Sequence, residues 1–99
     1  MTINESRDGE IITLQISGRV DTSTSPELQN NLLTTFQKVK DVVLDFSQCE
    51  YISSAGLRAL LIGQKTASSK GGSFKLTKVP EAVMSVLEVT GFDSILNIE

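Results

Sequence analysis

The sequence predicts an α/β fold in which one mixed sheet of about five strands carries helices mainly on one face. Apolar runs typical of strands alternate with stretches of helical periodicity in the order β-β-α-β-α-β-α-β. Residues 42–46 (VVLDF) are apolar without period-2 alternation, which indicates a central strand buried on both faces. In residues 10–20, apolar and polar side chains alternate, so one face of that strand can meet water.

Four further strands complete the predicted sheet. Residues 2–7 and 10–20 form a hairpin, and the pair 8–9 (DG) suits a tight turn with φ > 0. Residues 73–77 alternate and predict a fourth strand, and residues 95–98 predict a short fifth. Because helices separate the later strands, we expect right-handed crossovers, with the antiparallel hairpin near one side of the sheet.

The first helix has an apolar face and an ambiguous start. Either Ser25 caps it with Pro26 at the first helical position, or Thr24 caps it with Glu27 completing a Thr-x-x-Glu box. The inward residues recur at spacings of four, four and three, and they extend the helix to about residue 39: Leu28, Leu32, Phe36 and Val39.

Two more helices follow. The second is predicted over residues 54–69, beginning at the first or second of these, and the glycine pair 71–72 stops it. The third begins at Pro80 and ends at Gly91. Both should cover the same face of the sheet as the first helix.

Length and composition indicate one soluble domain spanning residues 1–99. A hydrophobic share of 39% with 21% charged residues is ordinary for a globular protein. The net charge of −3, with both signs interspersed, offers no basic face to nucleic acid. No apolar run reaches the roughly 18 residues of a membrane span, and the amino terminus lacks the features of a signal peptide. We therefore expect a cytoplasmic protein without membrane insertion.

No pattern of residues suggests an enzyme. The sequence has no histidine, no phosphate-binding loop and no spacing typical of metal ligands, so we expect no catalysis, no metal and no cofactor. The single cysteine, Cys49, cannot form an internal disulfide and is expected to be a half-buried filler.

The stretch 49–62 is the candidate functional segment. Ser53, Ser54 and Gly56 stand where the second helix should begin, so that N–H groups without intrahelical partners point at the hydroxyls. A helix start of this kind is electropositive and favours an anion. The alternative, that both serines are only helix caps, stays open.

Four fragments in the right order resemble the STAS domain family of bacterial anti-sigma factor antagonists and sulfate-transporter tails. Residues 18–21 (GRVD) are similar to its Gly-x-Leu/Val-Asp segment, and residues 42–46 to its central strand. Residues 51–57 (YISSAGL) are similar to its Asp-Ser-Ser/Thr-Gly-Leu loop, and residues 90–92 (TGF) to its Thr-Gly-Leu/Phe signature. The resemblance covers nearly the whole chain and implies a STAS-like sandwich.

The resemblance also implies a phosphorylation switch that regulates transcription by partner switching. An unphosphorylated antagonist binds an anti-sigma factor that is also a GHKL-type serine kinase and so frees a sigma factor, and a phosphatase resets the modified hydroxyl. Ala55 stands at the usual acceptor position, so Ser54 is the first candidate for phosphorylation and Ser53 the second. The implied partner-binding residues are Asp21, Thr22, Ser23, Thr24, Ser53, Ser54, Ala55, Gly56, Leu57 and Arg58.

A second function stays open. Stand-alone STAS domains also resemble the accessory subunits that clasp the ATPase of lipid-transporting ABC systems. The missing hydroxyl at Ala55 fits such a constitutive contact.

Overall fold

The computed structural model describes residues 1–99 and has the predicted order of elements. The α/β fold class, with five strands and three helices, is therefore confirmed. The elements are β1 (Thr2–Asp8), β2 (Ile11–Val20), α1 (Ser25–Lys38), β3 (Asp41–Ile52), α2 (Ser54–Ser69), β4 (Ser73–Thr77), α3 (Glu81–Thr90), a 3₁₀ turn (Phe92–Ser94) and β5 (Asn97–Ile98).

The sheet has the strand order β1-β2-β3-β4-β5. Strand β1 pairs antiparallel with β2, and every later neighbour is parallel. Each crossover moves one strand further in the same direction, so right-handed connections bring all three helices to one face. The predicted mixed sheet with a hairpin at one side is thus confirmed.

The core lies between that face and the helices. Ile12 and Leu14 of β2 stand beside Val42 and Leu44 of β3, and all four side chains are fully buried. The helices contribute Leu28, Leu32, Phe36, Leu57, Leu60, Val83 and Leu87 to the same cluster. The three helices therefore share one core with the sheet.

The opposite face of the sheet is polar, which corrects one prediction about the central strand. Strand β3 does lie in the middle of the sheet, but apolar side chains cover only the face that packs against the helices. On the other face Val43 is half-buried between the polar neighbours Thr13 and Lys75. Asp45 on that face is buried and lies 3.8 Å from the Lys78 ammonium. The expected burial on both faces is wrong because no helix covers this side.

Three strand boundaries also differ from the prediction. The fifth strand has two residues where four were predicted, because only Asn97 and Ile98 pair with β4. The hairpin loop is Gly9-Glu10, because Asp8 still pairs with Ile11 and the positive φ falls on Gly9. Strand β3 continues to Ile52 because β2 stays paired with it through two register shifts. Sequence alternation cannot reveal this length, since a register shift changes which side chains face the core.

The glycine pair stops α2 as predicted. The N–H of Gly71 donates to the carbonyl of Ser68, and the N–H of Gly72 donates to that of Ala67, which is the Schellman arrangement. Gly72 also touches the backbone that starts β3, since a Cβ there would overlap the carbonyl oxygen of Lys40. This close approach lets β4 begin beside β3.

Gly72→Ala should therefore destabilise the protein by about 2–3 kcal/mol, because the overlap is with backbone that cannot turn aside. The control is Gly71→Ala, which meets open space and has only its positive φ to strain, at a cost of about 1 kcal/mol. Urea denaturation of both variants measures the difference. Equal losses would contradict the close contact at Gly72.

Candidate functional site

The candidate site lies at the carboxyl ends of β2 and β3. Val20 and Ile52 are register partners there, and the N–H of Ser53 donates to the carbonyl of Val20 at 2.8 Å. The two segments that follow these strands, residues 21–25 and 53–58, therefore lie side by side. Parallel α/β sheets commonly place binding sites at this edge.

The first turn of α2 sits directly on the two strand ends. A Cβ on Gly56 would lie 2.7 Å from Cγ1 of Ile52 and 2.8 Å from Cγ1 of Val20. Such distances are below normal contact, so a side chain at position 56 would force the helix or the side chains of Val20 and Ile52 to move. Leu57 follows as a core residue with 3% of its surface exposed. Gly56 and Leu57 thus support the site from beneath.

The loop after β2 is held by the carboxylate of Asp21. Its Oδ1 accepts hydrogen bonds from the N–H of Ser23 at 3.0 Å, from the hydroxyl of Ser23 at 2.7 Å and from the N–H of Thr24 at 3.1 Å. The hydroxyl of Thr24 accepts from the N–H of Asp21 at 2.9 Å and donates to the carbonyl of Arg19 at 3.0 Å. The loop is therefore a closed hydrogen-bonded unit.

The start of α1 agrees with one of the two predictions in the position of its cap, Thr24, but not in the hydrogen bonds predicted for it. Thr24 occupies the capping position, but its hydroxyl makes no capping bond because it is engaged with Asp21 and Arg19. The predicted Thr-x-x-Glu box does not form, and Ser25 is already the first helical residue. The carboxylate of Asp21 takes over part of the capping by binding the N–H of Thr24.

The hydrogen bonds lower the pKa of Asp21. The bond from the Ser23 hydroxyl is the largest cause, and the backbone N–H groups of Thr24 and Ser23 add to it, while partial burial opposes them. A carboxyl whose pKa is lowered in the folded state stabilises the fold above its unfolded pKa of about 3.9. That contribution is lost as the pH falls through the folded value.

The two serines before Gly56 are used differently. Ser53 is the N-cap of α2, is half-buried, and accepts a hydrogen bond from the N–H of Gly56 at 3.3 Å. Ser54 is the first helical residue, is exposed, and its hydroxyl has no hydrogen-bond partner in the protein. Of the two, only Ser54 offers a free hydroxyl to solvent.

The residues predicted from the sequence to bind a partner differ in their exposure to solvent. The exposed ones are Thr22, Ser23, Ser54 and Arg58. The half-buried ones are Asp21, Thr24, Ser53 and Ala55. A partner could contact whole side chains of the first group, but only the exposed atoms of the second.

A cation–π contact that was not predicted from the sequence lies next to the candidate site. The guanidinium of Arg19 lies over the ring of Tyr51, 4.3 Å from its centroid, and 39% of Tyr51 is exposed. The two are register partners only because of a shift between Gly18 and Arg19. The shift falls at Gly18, whose φ is 90°, and a glycine inside a strand is a signal for a bulge, although it does not identify the new partner of Arg19. Tyrosine and arginine are among the residue types most enriched in interface hot spots, so the chemistry of this exposed pair would suit a contact with a partner.

Alternative kinds of site would be a metal-binding cluster, a cavity or a membrane-spanning helix. No group of three or more acidic, cysteine or histidine side chains comes together to hold a metal ion. A shallow cavity lined by Arg7, Glu10, Lys38, Val39 and Lys40 lies at the other end of the sheet, where β2 and β3 begin. None of the helices has the length and apolar character needed to span a bilayer.

Replacing each serine with alanine should show that the hydroxyl of Ser53 stabilises the fold and that the hydroxyl of Ser54 does not. Ser53→Ala should cost about 1 kcal/mol of folding free energy, because the N–H of Gly56 loses its capping acceptor. Ser54→Ala should change it by less than about 0.5 kcal/mol, since no contact is lost. Chemical denaturation measures both, and an equal loss would contradict the division.

Asp21→Asn should reduce the dependence of stability on pH. Between about pH 5 and pH 2.5 the melting temperature of the unsubstituted protein should fall further than that of the variant. The reason is that the variant has no carboxylate at position 21 to be protonated. Asp93→Asn, at an exposed carboxylate without hydrogen bonds, is the control and should follow the unsubstituted protein. Parallel curves for all three would contradict the role of Asp21.

Comparison with known proteins gives one consistent result. A family model described as "Mlab, STAS domain" matches residues 3–97. The chain is 35% identical over 89 residues to BtrV of Bordetella bronchiseptica, a protein assigned as an anti-sigma factor antagonist, covering 89% of this chain and 76% of that protein. It is 26% identical over 87 residues to the anti-sigma-B factor antagonist of Bacillus subtilis, covering 88% and 80%.

Solved structures show the same fold. A protein of Thermotoga maritima assigned as an anti-sigma factor antagonist superposes with a TM-score of 0.90 at 23% identity, over 97% of this chain and 84% of the other. The phosphorylated form of SpoIIAA from Bacillus superposes with a TM-score of 0.76 at 15% identity, over 99% and 91%. At these identities the likeness establishes the architecture of the sheet and helices.

Proposed function

This chain belongs to the STAS domain family, and from that premise we propose that it is an anti-sigma factor antagonist switched by phosphorylation of Ser54. In this proposal the unphosphorylated protein binds an anti-sigma factor and so frees a sigma factor for transcription. The names of its relatives in Bordetella and Bacillus support the antagonist role. The free hydroxyl of Ser54 at the exposed start of α2 is the observation that carries the switch.

Ser54 is a better phosphoacceptor than Ser53 for two reasons. A kinase must bring the hydroxyl to the γ-phosphate of ATP, and Ser54 is exposed while Ser53 is half-buried. A phosphate on Ser53 would also disturb the bond that Ser53 accepts from Gly56 at the start of the helix. Modification of Ser54 leaves that cap in place.

The physical basis of the switch is a difference between tolerance in the free protein and cost in the complex. A phosphate carries about −1.5 to −2 charges at neutral pH. At the exposed helix start, it is favoured by roughly 0.3–1 kcal/mol. In an interface shaped for a neutral hydroxyl it must lose water without finding a partner, which costs considerably more. A net loss of about 3 kcal/mol would weaken binding by roughly a hundredfold.

The chemistry of phosphate transfer belongs to the partner in this proposal. A GHKL-type anti-sigma factor kinase would supply ATP and Mg²⁺, and a separate phosphatase would remove the phosphate. The chain itself would be a non-enzymatic binding protein without a cofactor, acting in the cytoplasm and away from nucleic acid.

One observation favours a second candidate function. Ala55 removes the hydroxyl from the position directly before Gly56, and a constitutive contact would need no acceptor there. The same surface would then bind the ATPase of an ABC transporter as an accessory subunit. The two functions differ in the partner and in the need for Ser54.

The test is to incubate the protein with the cognate kinase, ATP and Mg²⁺, and to measure intact mass and kinase affinity. We expect the mass of one phosphate to be added to the unsubstituted protein and to Ser53→Ala, and nothing to be added to Ser54→Ala. The phosphorylated form should bind the kinase about a hundredfold more weakly.

Two results would contradict the proposal. A kinase that binds the protein but never modifies it would remove the switch and leave only the interaction. Affinity capture from its own cells that recovers an ABC ATPase, with no kinase, would favour the accessory-subunit function. Ala55→Ser serves as a positive control, because it restores a hydroxyl at the position where the family usually has one.

A further inference from the structure

Helix α2 carries an arginine without a partner. Arg58 is exposed and makes no ion pair, since the three ion pairs of the protein all use lysines. The sequence of α2, SAGLRALLIGQKTASS, contains no acidic residue that could serve it from the same helix. The residues three and four positions away from Arg58 are Ser54, Ala55, Leu61 and Ile62. Only Ser54 among them can become an anion.

Helix geometry brings Arg58 towards Ser54. Residues four apart lie on one face of a helix, with about 5–6 Å between their Cβ atoms. Long side chains in a helix lean towards its amino terminus, so Arg58 leans towards the turn that contains Ser54. Both residues are exposed, so neither is held away from the other by burial in the core. An anion four residues before a cation is also the favourable order with respect to the helix dipole.

We propose that Arg58 is the internal counterion of the phosphate on Ser54. This inference rests on the proposed function, because it requires Ser54 to be the modified residue. The guanidinium presents a planar fork of N–H donors that matches phosphate oxygens and can bind two of them at once. The pair orients the phosphate along the surface of α2.

The pair gives phosphorylation a second effect on the docking surface. In the unphosphorylated protein, Arg58 has no internal partner and is free to contact an anti-sigma factor. When Ser54 carries a phosphate, Arg58 turns to it and is withdrawn from the surface. One modification thus adds a negative charge and removes a positive one from the same patch.

The test uses protein with phosphoserine incorporated genetically at position 54, so that no kinase is needed. Phosphorus NMR follows the second ionisation of the phosphate, whose ordinary pKa is about 6. Because Arg58 favours the dianion, Arg58→Gln should titrate about 0.3 pH units higher than the otherwise unsubstituted phosphoprotein. Lys65→Gln is the matched control: it removes one exposed positive charge from the same helix, away from Ser54, and should leave the titration unchanged.

Two further measurements sharpen the result. Arg58→Lys keeps the charge and should titrate closer to the otherwise unsubstituted phosphoprotein than to Arg58→Gln. High salt should bring the titration curves of Arg58→Gln and the otherwise unsubstituted phosphoprotein together, since it screens an exposed pair. Identical titration of Arg58→Gln and Lys65→Gln at low salt would overturn the proposal. Because the phosphate is installed without a kinase, that outcome is distinct from a failure of any kinase to modify Ser54.

Discussion

The seating of α2 on the ends of β2 and β3 is the constraint on which the candidate site depends. Gly56 makes it possible, because its missing side chain lets the helix approach Val20 and Ile52 at distances that no Cβ would allow. The bond from the N–H of Ser53 to the carbonyl of Val20 fixes the chain at the same point. These contacts determine which residues are beneath the helix start and which remain on its surface.

Because of this packing, the two neighbouring serine hydroxyls have different roles. Ser53 turns back to cap the helix, so its oxygen serves the fold. Ser54, one residue later, has no partner within the protein and is available to what comes from outside. The loop held by Asp21 stands beside it as a preformed unit. The hydroxyl of Ser54 is therefore accessible from solvent and takes no part in the packing beneath the helix start.

Both proposals depend on the exposed start of α2. A switch of this kind needs a group that changes charge, a surface that stays rigid, and a difference between the free and bound environments. In the proposed switch Ser54 would supply the first, and the hydrogen-bonded loop of Asp21 would supply the second. Arg58 would determine how the charge is held in the free protein, and so how much of the docking surface changes with it. In both proposals the effect would come from local electrostatics at the start of α2.

The sequence alone determined the order of elements, the central position of β3, the glycine stop of α2 and the family, because periodicity, turn residues and motifs are local signals. Tertiary structure decided what depends on register and approach. The shift between β2 and β3 brought Arg19 over Tyr51, and the absence of a helix on the second face left Val43 among polar neighbours. Which of Ser53 and Ser54 caps α2 was open in the sequence, because either hydroxyl could do so. It was decided by which oxygen faces the N–H of Gly56.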